Sequence, residues 1–211
     1  MENVTDRVSN PFGMRPPCER YVPGYGDANA DFHVIGDHPG NYGGESSEVP
    51  FTNDASLRLQ EALAEAGLLE EVGERPEMDG TFLSYLYMCV PGDGAGEPTG
   101  AEYGSMERFF DAEVRAIAAH VLLPVGERAT RHVLATYTAR YGKVPLDMER
   151  LHGSEVLGTG WLVYPIENPA RWEAGDREHL VEALERLQAG DFRREVDLGR
   201  FGEGDEPYFV R

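Results

Sequence analysis

Short runs of hydrophobic residues alternate along the chain with longer stretches in which hydrophobic residues recur every three or four positions. The short runs predict four buried strands, at residues 31–36, 81–89, 120–126 and 161–166. The longer stretches predict helices at residues 53–66 and 102–119, from the third strand to about residue 140, and at residues 176–188. This alternation predicts an α/β fold, a single domain with a four-stranded, mostly parallel sheet flanked by helices on both faces.

The composition divides the chain into three parts. Residues 1–30 are predicted to be an irregular lead-in, residues 31–190 the α/β domain, and residues 191–211 an acidic C-terminal tail. No hydrophobic run approaches the roughly 20 residues that span a membrane. The N-terminus also lacks the basic and apolar stretches of a secretory signal. We therefore expect a cytoplasmic monomer without a membrane partner.

Acidic residues dominate the charge of the chain. Its 211 residues include 38 acidic and 19 basic ones, the formal net charge is −19, and Lys143 is the only lysine. This composition favours solubility in concentrated salt, where carboxylates hold water and screening weakens their mutual repulsion. An ordinary acidic protein is the alternative. Because high salt already weakens the general attraction to phosphate, the net charge does not exclude DNA, and local arginines and base contacts would provide recognition.

Glycine-rich or proline-containing loops follow three of the predicted strands. They begin after Gly36, Cys89 and Ile166. Ligands of parallel α/β sheets bind beyond the carboxyl ends of the strands, so these three loops are expected to converge on one crevice.

Five segments carry a family resemblance, and they occur in this order: Cys18-x-Arg20 with Ala30–Gly40, Pro50-Phe51, Leu86–Cys89, Val121–Gly126 with Ala129, and Tyr164–Ala170. Their order and spacing resemble the iron–sulfur, family-four-like branch of the uracil-DNA glycosylase superfamily over roughly residues 15–188. The resemblance implies a DNA repair enzyme that flips uracil or another deaminated base out of DNA and hydrolyses its N-glycosidic bond.

The cluster ligands of that branch are not all present. The resemblance places the four cysteine positions at Arg15, Cys18, Cys89 and Met106. Two thiolates cannot hold a cluster that requires four ligands. We therefore expect no cofactor and no catalytic metal, with Cys18 and Cys89 remaining as packed neighbours that behave as small buried hydrophobic residues.

The resemblance also implies a base-binding site at Gly36, Phe51 and Tyr85. Phe51 matches the aromatic residue that stacks on the flipped base, a contact worth about 1–3 kcal/mol. Tyr85 stands where the branch has an asparagine that reads the pyrimidine edge. A tyrosine hydroxyl cannot present both the donor and the acceptor of an amide, so strict uracil specificity is not expected. Both aromatic residues could instead belong to the core.

Three residues are candidates for the hydrolysis itself. His38 is expected to place or activate the attacking water, and Asp37 to orient His38 or a water. Asn168 replaces the usual histidine of the last segment and is expected to donate a hydrogen bond to the departing base. The alternatives are a polar surface histidine and a turn-forming Asn-Pro pair.

Four residues are candidates for DNA contact. Arg171 and Trp172 follow where the family inserts a side chain into the duplex, so Trp172 is expected to act as a wedge. Arg128 and Arg131 open a basic stretch that is either a phosphate-facing surface or a solvated helix face. Two other functions compete with the glycosylase: a catalytically inactive member that binds nucleic acid or a free base, and a small nucleotide or nucleoside hydrolase.

Overall fold

A computed structural model describes residues 15–92, 96–158 and 160–193. The strands are β1 Tyr25–Gly26, β2 Phe32–Gly36, β3 Leu69–Glu71, β4 Glu77–Met78, β5 Thr81–Tyr85, β6 Val121–Pro124, β7 Val156–Leu157 and β8 Leu162–Val163. The helices are α1 Pro39–Tyr42, α2 Asp54–Glu65, α3 Gly100–Ile117, α4 Gly126–Thr136, α5 Met148–Leu151 and α6 Asp176–Gln188, with a 3-10 helix at Pro169–Arg171.

The main sheet has six strands in the order β1-β5-β2-β6-β8-β7. Its four central strands are the predicted ones and pair in parallel, which confirms the mostly parallel α/β fold. The predicted number of strands was wrong, because β1 and β7 add antiparallel edges. Each edge strand has two residues, too few to show a period of two. β1 also lies within the segment that was predicted to be irregular.

Local capping explains where the helices begin. Asn53 accepts a hydrogen bond from the Ser56 N–H at the start of α2. Thr99 and Glu102 form a reciprocal capping box at the start of α3. The predicted bounds of α6 agree with the structure, whereas α4 ends at Thr136 rather than near residue 140.

The sheet separates two hydrophobic layers. Val34 faces the layer built with α2 and α6, and its neighbour Ile35 faces the layer built with α3 and α4. Both side chains are fully buried, and each such burial contributes about 1.5–3 kcal/mol. Among the described residues, no helix is both long and apolar enough to cross a membrane. The remainder of the predicted lead-in, residues 1–14, and of the tail, residues 194–211, lies outside the described residues.

Candidate active site

A polar crevice of about 270 Å³ opens at the carboxyl end of the sheet. Its walls come from the loop after β2, the first turns of α4, and the segment after β8, which we call the Asn168 loop (residues 164–172). The lining residues are Asp37, Asn41, Tyr42, Val125–Arg128, Arg131, Glu167, Asn168 and Arg171. The volume is just below the range of about 300–1,000 Å³ for small-molecule pockets. The convergence of the loops after β2 and β8 is confirmed, whereas no residue of the described loop after Cys89 lines this crevice.

Asp37 is the centre of a hydrogen-bonded group on one wall. The Tyr103 hydroxyl donates to Oδ1. The Asn41 side-chain amide donates to Oδ2 at 3.3 Å, and Arg128 Nε lies 3.3 Å from the same oxygen. Burial and the hydrogen bond to Asp37 raise the pKa of Tyr103 above its usual value, so this hydroxyl stays protonated and donates. A carboxylate offers about four acceptor sites, so these three donors leave room for one water.

Asn168 lies on the wall formed by the Asn168 loop, half-buried at the start of the 3-10 helix. Its Oδ1 accepts a hydrogen bond from the Ala170 N–H at 2.9 Å. The amide oxygen is therefore used as a helix cap, and the Nδ2 group is the one directed elsewhere. No hydrogen bond holds Nδ2 within the part of the chain that the structure describes. The predicted donor role of Asn168 requires a free N–H group of this kind.

His38 does not line the crevice, although its neighbour Asp37 does. The His38 ring is buried, and its Nδ1 accepts a hydrogen bond from the Gly40 N–H at 3.1 Å, which caps α1. Its Nε2 lies 3.0 Å from Glu97 Oε2. Because Nδ1 accepts, a neutral ring carries its proton on Nε2 and has no lone pair left for water. The geometry thus corrects the predicted water-activating role of His38.

The three predicted base-binding residues touch one another. A Cβ on Gly36 would lie 2.7 Å from the rings of both Phe51 and Tyr85, so this position requires glycine. The rings of Phe51 and Tyr85 lie 5.3 Å apart, and Tyr42 packs on both. All three aromatic side chains are buried, and the Tyr85 ring packs against Phe51, the residue predicted to stack on a flipped base. We call Tyr42, Phe51 and Tyr85 the aromatic cluster.

Hydrogen bonds fix this cluster in place. The Tyr85 hydroxyl accepts from the Phe51 N–H at 2.7 Å and donates to the Gly43 carbonyl at 2.9 Å. The Gln60 side chain donates to the Phe51 carbonyl at 2.7 Å. Phe51 has a φ of 62°, which is unusual for a bulky residue, and these bonds on both sides of it hold that strained conformation. Burial raises the pKa of Tyr85 well above its usual value, so the hydroxyl stays protonated.

Three arginines surround the crevice in a chain of net charge −19. Arg128 pairs with Asp37 and lies over the Tyr103 ring at 4.6 Å, yet its side chain remains 48% exposed. Arg131 pairs with Glu127, and Arg171 extends from the 3-10 helix into solvent. The predicted DNA-contacting arginines are thus brought together at one opening.

Trp172 is buried, which does not fit the predicted wedge. Its Nε1 donates to the Glu167 carbonyl at 2.8 Å, and Arg58 lies 5.8 Å from the centre of the Trp172 ring. A wedge must be exposed to enter a duplex, and this side chain is part of the core instead. The exposed Arg171 is the residue of this pair that can reach DNA.

The sequence model of the uracil DNA glycosylase superfamily matches residues 23–188. The chain belongs to the uracil-DNA glycosylase superfamily. Its relatives include a type-5 uracil-DNA glycosylase of Pyrobaculum aerophilum, 29% identical over 171 residues that cover 78% of this chain and 72% of the relative.

Two further uracil-DNA glycosylases extend the comparison. A type-5 enzyme of Thermus thermophilus is 31% identical over 140 residues, which cover 64% of this chain and 63% of the relative. A type-4 enzyme of Archaeoglobus fulgidus is 24% identical over 176 residues, which cover 81% of this chain and 83% of the relative. The superfamily resemblance is confirmed, and the comparisons do not single out the family-four-like branch.

The cluster positions of this superfamily member hold a different covalent feature. Cys18 and Cys89 form a disulfide with a Cα–Cα distance of 6.0 Å, so they are bonded rather than merely packed as small hydrophobic residues. The Met106 sulfur lies 3.9 Å from the Cys89 sulfur, which brings a third predicted cluster position to the same place. A thioether and a disulfide do not provide the four thiolates of a cluster, so these residues do not fit one.

One group of side chains beside the crevice has the composition of a candidate metal site. Asp37, His38 and Glu97 bring three ligand atoms within 4.8 Å of one another, the one such group found among the described residues. The carboxylate of Asp37 is already held by a hydroxyl and a guanidinium, and His38 already bonds Glu97. This donor set is satisfied by hydrogen bonds and does not favour a metal.

Several residues of the site were not found from the sequence. Asn41 lies only four residues beyond Asp37, in α1, and this short separation was a usable signal. Tyr103 is 66 positions from its partner Asp37, and Glu97 is 59 positions from its partner His38. No local sequence pattern marks either residue.

Proposed function

We propose that the protein is a DNA glycosylase that hydrolyses the N-glycosidic bond of uracil or another deaminated base. The observation that carries this proposal is the crevice at the carboxyl end of the sheet that both Asp37 and Asn168 line. Superfamily membership and relatives named uracil-DNA glycosylases support it.

The proposed chemistry assigns one task to each wall. Asp37 places a water at its remaining acceptor site, and the water oxygen bonds to the anomeric carbon as the bond from that carbon to the base breaks. The electron pair of the broken bond leaves with the base, and the Asn168 Nδ2 group donates a hydrogen bond to it. The water's proton passes to Asp37. Arg128, Arg131 and Arg171 hold the phosphates on either side of the extruded nucleotide.

Alkali-induced strand scission of a labelled oligonucleotide tests this function. One strand carries a single uracil, hypoxanthine or mismatched base, and the reaction contains molar KCl. We expect Asp37→Asn to lower turnover by about 10²–10⁴-fold and Asn168→Ala by about 10²–10³-fold. Asp147→Asn and Asn29→Ala are matched controls outside the crevice and should retain full activity. Activity of both crevice variants within a few fold of wild type would refute these roles.

The closed aromatic cluster favours a second candidate, a member that binds nucleic acid or a free base without catalysis. Because the buried Tyr85 ring packs against Phe51, a base has no open stacking site at that position. Fluorescence anisotropy with the same oligonucleotides distinguishes the two functions. Tight, salt-dependent binding without scission of any of the three substrates would favour this candidate over the glycosylase.

We also propose that the protein works without an iron–sulfur cluster and without a catalytic metal. The support for the first part is the donor set at the cluster positions, where a disulfide, Met106 and Arg15 stand in place of four thiolates. The support for the second part is that Asp37 and His38 already use their donor atoms in hydrogen bonds and ion pairs.

A further inference from the structure

His152 lies directly behind the Asn168 loop, at the end of α5, and is buried. Its Nδ1 accepts a hydrogen bond from the Glu167 N–H at 3.0 Å. Its Nε2 lies 2.8 Å from the Asp176 carbonyl, so that nitrogen must donate. These two partners fix a neutral ring with its proton on Nε2.

Trp172 holds the backbone of Glu167 through its carbonyl, in the next peptide unit. Its Nε1 donates to the Glu167 carbonyl at 2.8 Å, and its ring lies 5.6 Å from the His152 ring. Arg58 donates to the carbonyls of Pro169 and Trp172, at 2.9 and 3.3 Å, and so fixes the loop from α2. Glu167 is therefore bonded through both its N–H and its carbonyl, immediately before Asn168.

We propose that His152 and Trp172 form a clamp on Glu167 that positions Asn168 in the crevice, and that protonation of His152 opens this clamp. A doubly protonated imidazole has no lone pair on Nδ1. Its new N–H would point at the Glu167 N–H, so the hydrogen bond would become a contact between two donors. His152 is thus a positioning residue, and its effect on catalysis rests on the proposed function, whereas the clamp itself does not.

The surroundings of His152 determine when the clamp opens. The charged and titratable groups that face it are Glu149 from α5, Asp176 and His179 from α6, and Glu167, Arg171 and Glu173 from the adjoining loop. Burial lowers the pKa of His152 below 6.5, and this effect exceeds the opposing influence of Asp176 and Glu167. The clamp is therefore closed at neutral pH and opens as the pH falls.

Fluorescence of Trp172 reports on the clamp without requiring enzymatic activity. Trp172 becomes the sole tryptophan in a Trp161→Phe background. That substitution removes no hydrogen bond within the described residues, because Trp161 Nε1 has no partner there. On lowering the pH from about 8 to about 4, we expect one transition with a midpoint below 6.5.

Two variants in that background decide which group titrates. His152→Asn keeps an acceptor for the Glu167 N–H but cannot be protonated, so the transition should disappear. His179→Gln removes the neighbouring imidazole and should leave the transition in place. The clamp would be overturned if the fluorescence of the Trp161→Phe protein did not change with pH, or if the transition survived His152→Asn.

The uracil-excision assay then tests the consequence for the crevice. His152→Ala should lower kcat by at least about tenfold with little change in KM, because a misplaced donor weakens the transition state. His152→Asn should restore most of the rate at neutral pH and flatten its decline below pH 6.5. Equal rates and equal pH profiles for all three proteins would contradict the positioning role. If the wild type excises no base at any pH, the proposed function fails, and the fluorescence titration still decides the clamp.

Discussion

Reduction of the Cys18–Cys89 disulfide should lower the free energy of unfolding by about 2–5 kcal/mol. The two cysteines are 71 residues apart. In the chain-entropy model, opening a loop of that length lowers the free energy of the unfolded chain by about 4.4 kcal/mol, because the chain regains conformational entropy. Hydrogen bonds from the Val22 and Val90 N–H groups flank the disulfide and remain after reduction. They keep the folded segments together, so the expected loss comes chiefly from the unfolded state.

Urea unfolding in molar KCl measures this loss. Three samples are compared: the oxidised wild type, the reduced wild type, and a Cys18→Ser/Cys89→Ser double variant. The last two should share a lower midpoint and a steeper slope, because the unfolded chain without the crosslink is less compact and exposes more surface. Reductant added to the double variant is the control and should change nothing.

Chemical analysis of the same preparation can refute the reasoning. Protein prepared anaerobically and denatured without reductant should show no reactive thiol, and two after reduction. It should also contain no stoichiometric iron or sulfide. Two free thiols together with four irons per chain would show that the cluster persists despite Arg15 and Met106. Equal unfolding midpoints for oxidised and reduced protein would contradict only the stabilising role of the disulfide.

Two further predictions concern buried groups. Burial lowers the pKa of His33 from 6.5 to about 3, so its contribution to stability is complete above pH 6.5 and decreases as the pH falls towards 3. Below pH 6.5, the free energy of unfolding measured with urea should fall less steeply with pH in His33→Gln than in the wild type, by about 1.4 kcal/mol per pH unit. The same slope in both proteins would contradict this. Tyr85→Phe leaves the buried Phe51 N–H and Gly43 carbonyl without a partner and should destabilise the protein by about 1–3 kcal/mol. The exposed Tyr141→Phe is its control, and equal midpoints for the two variants would remove the bridging role of Tyr85.

The central sheet was predictable because its signals are local. Each parallel strand is a short hydrophobic run, and capping groups such as Asn53 lie within a few residues of the helix they begin. The edge strands β1 and β7 depend on pairing with distant strands and carry no pattern of their own. Sequence periodicity therefore gave the parallel core of the fold and missed its edges.

The candidate site was predictable in its location more than in its side-chain roles. The strand-end rule placed Asp37 and Asn168 in one crevice. The His38 ring is held by Glu97, which is 59 residues away, and the Trp172 carbonyl is held by Arg58, which is 114 residues away. Contacts of this range determine which way a loop side chain faces, and no local pattern encodes them.

The aromatic cluster and the crevice together limit how a base can bind. Tyr42 lines the crevice on one side and packs against Phe51 and Tyr85 on the other, so its ring separates the open space from the predicted stacking site. A base that reached Phe51 would have to displace Tyr42, whose hydroxyl donates to the Val125 carbonyl. It would also have to displace the buried Tyr85. A base held by the crevice alone would instead meet the groups around Asp37 and Asn168 without breaking the cluster. The proposed glycosylase therefore has to recognise its base in the outer crevice. We expect its choice of base to depend mainly on the hydrogen bond from Asn168 to the departing base, and less on contacts to the pyrimidine edge.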